Sequence, residues 1–215
     1  MPDDAETRPT APKRPARRSA SEIPAGPVPG PSALREAALA HLARFAASEA
    51  GLLRVLDRRI ARWSRRAATT GAGSDQIEAQ AAEARRAART VAAALVASGV
   101  LDDAVYAESK VRSLTRSGRS RRAIGAHLAG RGVASELVQA ALPVDPQAEL
   151  GAALLQARRR RIGPFGDPEA LDDPTARNKA LAALARAGFN RDICERALGL
   201  DPAEAEQLIR ELKRG

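Results

Sequence analysis

Residues 122–142, RAIGAHLAGRGVASELVQAAL, align without gaps on residues 178–198, NKALAALARAGFNRDICERAL, at an offset of 56 positions. Ala126/Ala182, Leu128/Leu184, Ala129/Ala185, Gly132/Gly188, Ala141/Ala197 and Leu142/Leu198 are identical. Val133/Phe189, Leu137/Ile193 and Val138/Cys194 keep an apolar residue in register. The matched positions describe one device: a helix ends, a glycine takes the left-handed conformation past its last turn, and the next apolar residue folds back on that turn. Ser135 and Asn190 then stand where a cap opens a short following helix. Gly99-Val100 repeats the stop. A unit of this kind cannot bury its apolar face alone, so neighbouring copies must stack.

Upstream, Ser48, Leu52 and Leu56 have the spacing of Ser120, Ile124 and Leu128, but the glycine stop is missing and Arg62-Trp63 runs on helically. The spacing predicts a helix capped by Ser32 through Leu34, Ala38, Leu42 and Phe45, and a second through Leu52, Leu56, Ile60 and Trp63. After a break at Gly71 to Ser74, Asp75 with Glu78 has capping-box spacing and opens a helix through Ile77, Ala81, Ala88, Val91 and Leu95. Asp145-Pro146, Asp173-Pro174 and Asp201-Pro202 each place an acceptor at a cap and a donor-free residue at the first helical position.

Composition agrees with these helices. Ala, Leu, Arg and Glu dominate, and only Phe45, Trp63, Tyr106, Phe165 and Phe189 are aromatic. A core of Ala and aliphatic residues buries little area per residue, which predicts an extended, modular shape. Residues 1–31 hold eight of the 14 prolines among mixed charges; this leader is expected to be a disordered tail.

The net charge of +9 predicts attraction to nucleic acid, an acidic protein surface or an anionic membrane. No run of about 18 apolar residues is present to cross a bilayer, and the N-terminus has no signal-peptide core, so cytoplasmic residence is expected. The single cysteine, Cys194, excludes an intramolecular disulfide and reads as a small buried hydrophobe. His41 and His127 lack a second metal ligand at helical spacing and any nucleophile context. Asp102-Asp103 point apart on a helix and read as capping residues, Tyr106 and Trp63 as core. No phosphate-binding glycine loop appears; no catalytic, metal or cofactor site is expected, and the chain is not expected to be an enzyme.

Val100-Leu101-Asp102-Asp103-Ala104-Val105-Tyr106-Ala107, followed by Arg112, Gly118, Arg122, Ile124, Leu128, Gly132-Val133 and Leu142, resembles the RecX family of bacterial regulators of the RecA recombinase. With the flanking repeats the resemblance covers roughly residues 33 to 199. It implies an all-α fold of tandem three-helix repeats forming an elongated, curved array. It also implies a non-enzymatic inhibitor of RecA that binds in the groove of the RecA–DNA filament and restrains filament extension, ATP hydrolysis and strand exchange; a monomer is expected, with the DNA phosphate backbone as a further candidate partner. The expected units are a divergent first repeat over 32–99, a central repeat over 100–143 and a third repeat with a C-terminal helix over 144–215. Departures from the family pattern are the Pro-rich leader, the insertion at Gly71 to Ser74 and the loop from Asp167 to Pro174.

Between Ser109 and Ser135 no acidic residue occurs, while Lys110, Arg112, Arg116, Arg119, Arg121, Arg122 and Arg131 all do. Guanidinium forks pair bidentately with phosphate or carboxylate, so this stretch is the first candidate for partner contact. Arg119, Arg121 and Arg122 flank Gly118, where amides opening the next helix are candidates to help hold an anion. Secondary candidates are Arg58, Arg59 and Arg62, in a run that also holds Arg54, Arg65 and Arg66, together with Arg158 and Arg159. The alternative reading is a stand-alone DNA-binding protein, since paired helices with a glycine turn also describe helix-turn-helix readers.

Overall fold

The computed structural model describes residues 26–214; the expected disorder of the leader falls mainly on residues outside that range. Among the described residues there are ten α-helices and no strands. α1 (Pro31–Leu42), α2 (Glu49–Thr69) and α3 (Ser74–Ala97) form one set. α4 (Asp103–Arg116), α5 (Arg121–Gly130) and α6 (Ser135–Ala141) form the next, and α7 (Pro146–Arg160), α8 (Pro174–Arg186) and α9 (Arg191–Gly199) the third, followed by α10 (Pro202–Arg214). The buried residues fall into three clusters, one on each set, with α10 completing the third. Leu34, Leu52, Leu56, Ile60, Trp63 and Leu95 centre the first, Tyr106, Ile124, Leu128, Val133 and Leu142 the second, and Leu154, Leu184, Phe189, Ile193 and Ile209 the third. The fold is an all-α array of tandem three-helix repeats.

The glycine stops behave as the aligned sequences require. Gly132 (φ 79°) and Gly188 (φ 96°) are left-handed, and the amides of Val133 and Phe189 reach back to Leu128 O and Leu184 O. Val133 and Phe189 are buried behind them. The stop at Gly99 differs by one residue: Val100 is 51% exposed, and Leu101 is the side chain that packs inward, with both amides donating to Leu95 O. α2 has no glycine at the corresponding place and continues to Thr69, where Gly71 (φ 83°) ends the chain's helical course. Trp63 lies in that extension as core, its indole N–H donating to Gly26 O at 3.2 Å, so the last leader residues pack on the first repeat beside Val28.

Several caps follow the sequence. Asp102, Asp145, Asp173 and Asn190 each accept from first-turn amides, and Asp201 accepts from Ala203 N. Three predicted starts shift. α1 opens at Pro31, whose missing N–H suits the first helical position, leaving Gly30 rather than Ser32 as the cap. α3 opens at Ser74 with Gly73 as cap, so Asp75 acts by its charge inside the first turn. Ser135 is the first residue of α6, and its hydroxyl donates to the Glu136 carboxylate. Phe45, expected on the first helix, lies beyond its end, because Arg44 and Phe45 both turn their amides onto His41 O.

The repeats are joined by a seam that recurs. Ser48 caps α2 and donates its hydroxyl to Arg131 O, at the glycine stop of α5, at 2.7 Å. Ser120 caps α5 and donates to Ala187 O, at the glycine stop of α8, also at 2.7 Å. Both serines are almost wholly buried. At each seam the first amide of the middle helix donates to a carboxylate from the first helix of the next repeat: Glu49 N to Asp103 Oδ1 at 2.7 Å, and Arg121 N to Glu149 Oε2 at 2.9 Å. The glycines are doubly constrained, since a Cβ on Gly132 would strike Ala50 and one on Gly188 would strike Ser120 Oγ. α7 also packs on α4 and on α10, and α10 touches α4 as well.

Candidate partner-binding surface

The acid-free stretch is divided by the fold. Arg112, Arg116 and Arg121 line a cavity of about 390 Å³ between α4, α7 and α10, together with Asp145, Glu149, Glu211, Leu208 and Leu212. Two of the three are engaged within the fold. Arg112 lies 3.8 Å from Glu108, and Arg121 is held by its side chain as well as its amide, Nε donating to Leu142 O at 3.1 Å. The expected anion at the start of α5 is therefore supplied from within: Glu149 occupies the Arg121 amide, and Ser120 takes that of Ala123. Burial pushes the Glu149 carboxyl above its usual range, offset in part by the Arg121 amide and charge.

Lys110, Arg119 and Arg131 fall elsewhere, around His127. Burial first, then the charges of Arg131, Arg119 and Lys110, hold the His127 imidazole below its ordinary pKa. Arg54 reaches the same place from the first repeat, Nη2 donating to Arg131 O at 2.9 Å beside Ser48. Lys110 also lies over the Tyr106 ring at 5.6 Å. Among the described residues, none of Arg54, Lys110, Arg119 and Arg131 makes an ion pair, whereas Arg85, Arg112, Arg158, Arg191 and Arg196 do. Arg122 stands apart, at the second seam beside Gly188.

Of the secondary candidates, Arg58, Arg59 and Arg62 are exposed on α2. Arg54, Arg58 and Arg62 recur every fourth residue on a helix whose Leu52, Leu56 and Ile60 face the core, so they continue the cations from the seam along the outer side of α2. Arg158 is engaged by Glu206 of α10 at 3.1 Å, and Arg159 lies exposed in the last turn of α7.

Sequence reasoning passes over three residues of this surface. His127 reads there only as a failed metal ligand, yet its place four residues before Arg131 puts both on one helix face. Phe45 is 54% exposed, tilted against His41 at 5.3 Å between ring centroids, with Arg44 over its ring at 5.5 Å. Ser48, three residues later, carries the seam. Hydroxyls and carboxylates that draw the eye as chemical groups are engaged by the backbone: Ser48, Ser120, Asp102 and Asp145 all cap helices. Cys194 is buried, and burial pushes its thiol up, away from the reactive thiolate. Among the described residues no His, Cys, Asp and Glu gather in a metal-binding group, and no helix is long and apolar enough to cross a membrane.

Comparison with known proteins bears on the same segment. The family model described as "RecX, second three-helix domain" matches residues 102–142, which span α4 to α6. The chain is 37% identical over 175 residues to the "Regulatory protein RecX" of Myxococcus xanthus, covering 80% of this chain and 88% of that protein. It is 38% identical over 109 residues to the protein of the same name from Agrobacterium fabrum, covering 51% and 57%. The Mycobacterium leprae protein of that name is 36% identical over 118 residues, covering 53% and 66%. No solved structure matches the chain. A likeness that extends over nearly the whole of one relative, and a family domain that coincides with the helices of the central repeat, make this chain a member of the RecX family of regulatory proteins.

Proposed function

We propose that this protein is a non-enzymatic modulator of RecA that binds as a monomer in the groove of the RecA–DNA filament and restrains filament extension, ATP hydrolysis and strand exchange. The observation that carries the reading is the recurring seam. The same serine-to-carbonyl bond at 2.7 Å fixes the step from first to second repeat and from second to third. An array built with one repeated step suits a partner that is itself a repeat of identical subunits. The unpaired cations around His127 supply an attraction to carboxylate or phosphate on that partner. The units proposed to act are residues 32–99, 100–143 and 144–215, in the cytoplasm, with no cofactor. Lys110, Arg119 and Arg131 are the favoured contacts of the central repeat, Arg58, Arg59 and Arg62 those of the first.

A stand-alone helix-turn-helix reader has less support. Its recognition helix would be α6 or α9. The exposed face of α6 carries Glu136 and Gln139 and no basic residue, and on α9 Arg191 and Arg196 are paired with Glu195 and Asp192. Sedimentation with RecA filaments assembled on single-stranded DNA separates the two readings. Co-sedimentation that survives moderate salt, with weak and sequence-independent binding to naked DNA, is the expected result. A sequence-specific complex with naked duplex, and none with the filament, would reject the proposal.

A further inference from the structure

We propose that the seam between the first two repeats is a binding site for a single nucleic-acid strand, with backbone phosphates on Arg54, Lys110, Arg119 and Arg131 and a base stacked on Phe45. This deepens the reading above by naming a partner chemistry at one surface, and it stands or falls without RecA.

Two independent features meet at this seam. The first is a set of cations that, among the described residues, make no ion pair. Arg54 and Arg131 come together through the 2.9 Å bond to Arg131 O, and Lys110, Arg119 and Arg131 all act on the His127 ring. Two acids stand near. Asp103 accepts from the Glu49 amide and Glu49 lies in the first turn of α2; among the described residues neither makes an ion pair with these cations. The second feature is the aromatic group between α1 and α2. Phe45 is more than half exposed although an apolar ring gains by burial, and it is braced by His41 on one side and Arg44 over its face.

Phe45 precedes Ser48 by three residues, at most about 11 Å of extended chain, and Ser48 is bonded to Arg131 O, so the ring sits on the segment that leads into the seam. Basic side chains that track phosphates beside an exposed aromatic face are the two parts by which proteins hold single strands without reading sequence. A duplex would leave the ring without a base face. An acidic protein surface would use the cations and have no need of the ring. Arg58 and Arg62 extend the track along α2 at a rise of about 6 Å per four residues, close to the spacing of successive phosphates in an extended strand.

The test uses the full chain without RecA, with fluorescence anisotropy of a labelled oligothymidylate and of a duplex of equal length. Phe45→Ala is expected to lower single-strand affinity about five-fold or more while changing duplex affinity little. Lys110→Glu with Arg119→Glu is expected to flatten the dependence of log affinity on log salt by roughly 0.7 for each phosphate that is no longer neutralised. Phe45 is exposed, so its removal leaves the fold intact, which far-UV circular dichroism verifies. Equal weakening for strand and duplex in Phe45→Ala, or an unchanged salt slope in the charge variant, would overturn the assignment. Absence of binding to either oligonucleotide at low salt would overturn it in favour of an acidic protein partner.

Discussion

Ser120 donates its hydroxyl hydrogen to the carbonyl of Ala187, 67 positions later, at 2.7 Å, while accepting from Ala123 N in its own helix. One side chain thus closes the start of a helix and fastens the next repeat. Ser48 does the same to Arg131 one repeat earlier, but Arg131 O has a second donor in Arg54. Ser120→Ala is expected to cost about 2–3 kcal/mol, from the missing cap and the unsatisfied carbonyl. Ser48→Ala should cost nearer ~1 kcal/mol, because Arg54 still serves the acceptor. Urea unfolding of the two variants measures the difference, and equal destabilisation would show that the seam is not what the second bond maintains.

The glycine stops differ in what faces them. Gly99 (φ 70°) has nothing near its absent side chain, whereas a Cβ on Gly188 (φ 96°) would lie 2.5 Å from Ser120 Oγ. Gly99→Ala is expected to cost about 1–2 kcal/mol, from the left-handed conformation alone. Gly188→Ala and Gly132→Ala should be clearly more destabilising, since each forces the seam open as well. Thermal unfolding of the three variants ranks them.

Glu149 gives a signed dependence on pH. Its carboxyl is raised in the folded state, chiefly by burial, so protonation favours folding. Stability from this group is full below the ordinary glutamate value and is lost as pH rises through the raised one. Glu149→Gln keeps an oxygen for the Arg121 amide without the buried charge. The variant is expected to match or exceed the wild type in stability at neutral pH, with the advantage vanishing in acid. A variant less stable than wild type at neutral pH would show that the Arg121 contact outweighs burial.

The fold was legible where local chemistry decides it. The pairs Gly132/Gly188 and Leu128/Leu184 announce the helix stop, and Asp102, Asp145, Asp173 and Asn190 name their own caps. What joins the repeats was not legible. The serine-to-carbonyl bonds span 83 and 67 positions, and nothing local distinguishes Ser48 or Ser120 from an ordinary cap. The candidate surface was half legible for the same reason. An acid-free run identifies cations, but helix phase sends Arg112, Arg116 and Arg121 toward the cavity with Glu149 and Glu211, and gathers Lys110, Arg119 and Arg131 around His127.

That division changes which charges are worth reversing. Arg121 is anchored to Leu142 O, so Arg121→Glu is expected to destabilise the second repeat and to confound any binding assay. Lys110→Glu combined with Arg119→Glu and Arg131→Glu should weaken filament binding at least about ten-fold at unchanged helicity. Reversal of Arg112 and Arg116 should weaken it much less. Titration of fluorescent protein onto RecA filaments compares the two sets, and equal weakening would place the contact on the cavity side.

The most direct test of the central claim is the rate of ATP hydrolysis by RecA on single-stranded DNA, followed as purified protein is added well below the RecA concentration. A regulator that occupies the filament groove predicts a progressive fall in hydrolysis at substoichiometric protein, relieved by the Lys110, Arg119 and Arg131 charge reversals. Unchanged hydrolysis, with no protein bound to the filaments, would contradict it.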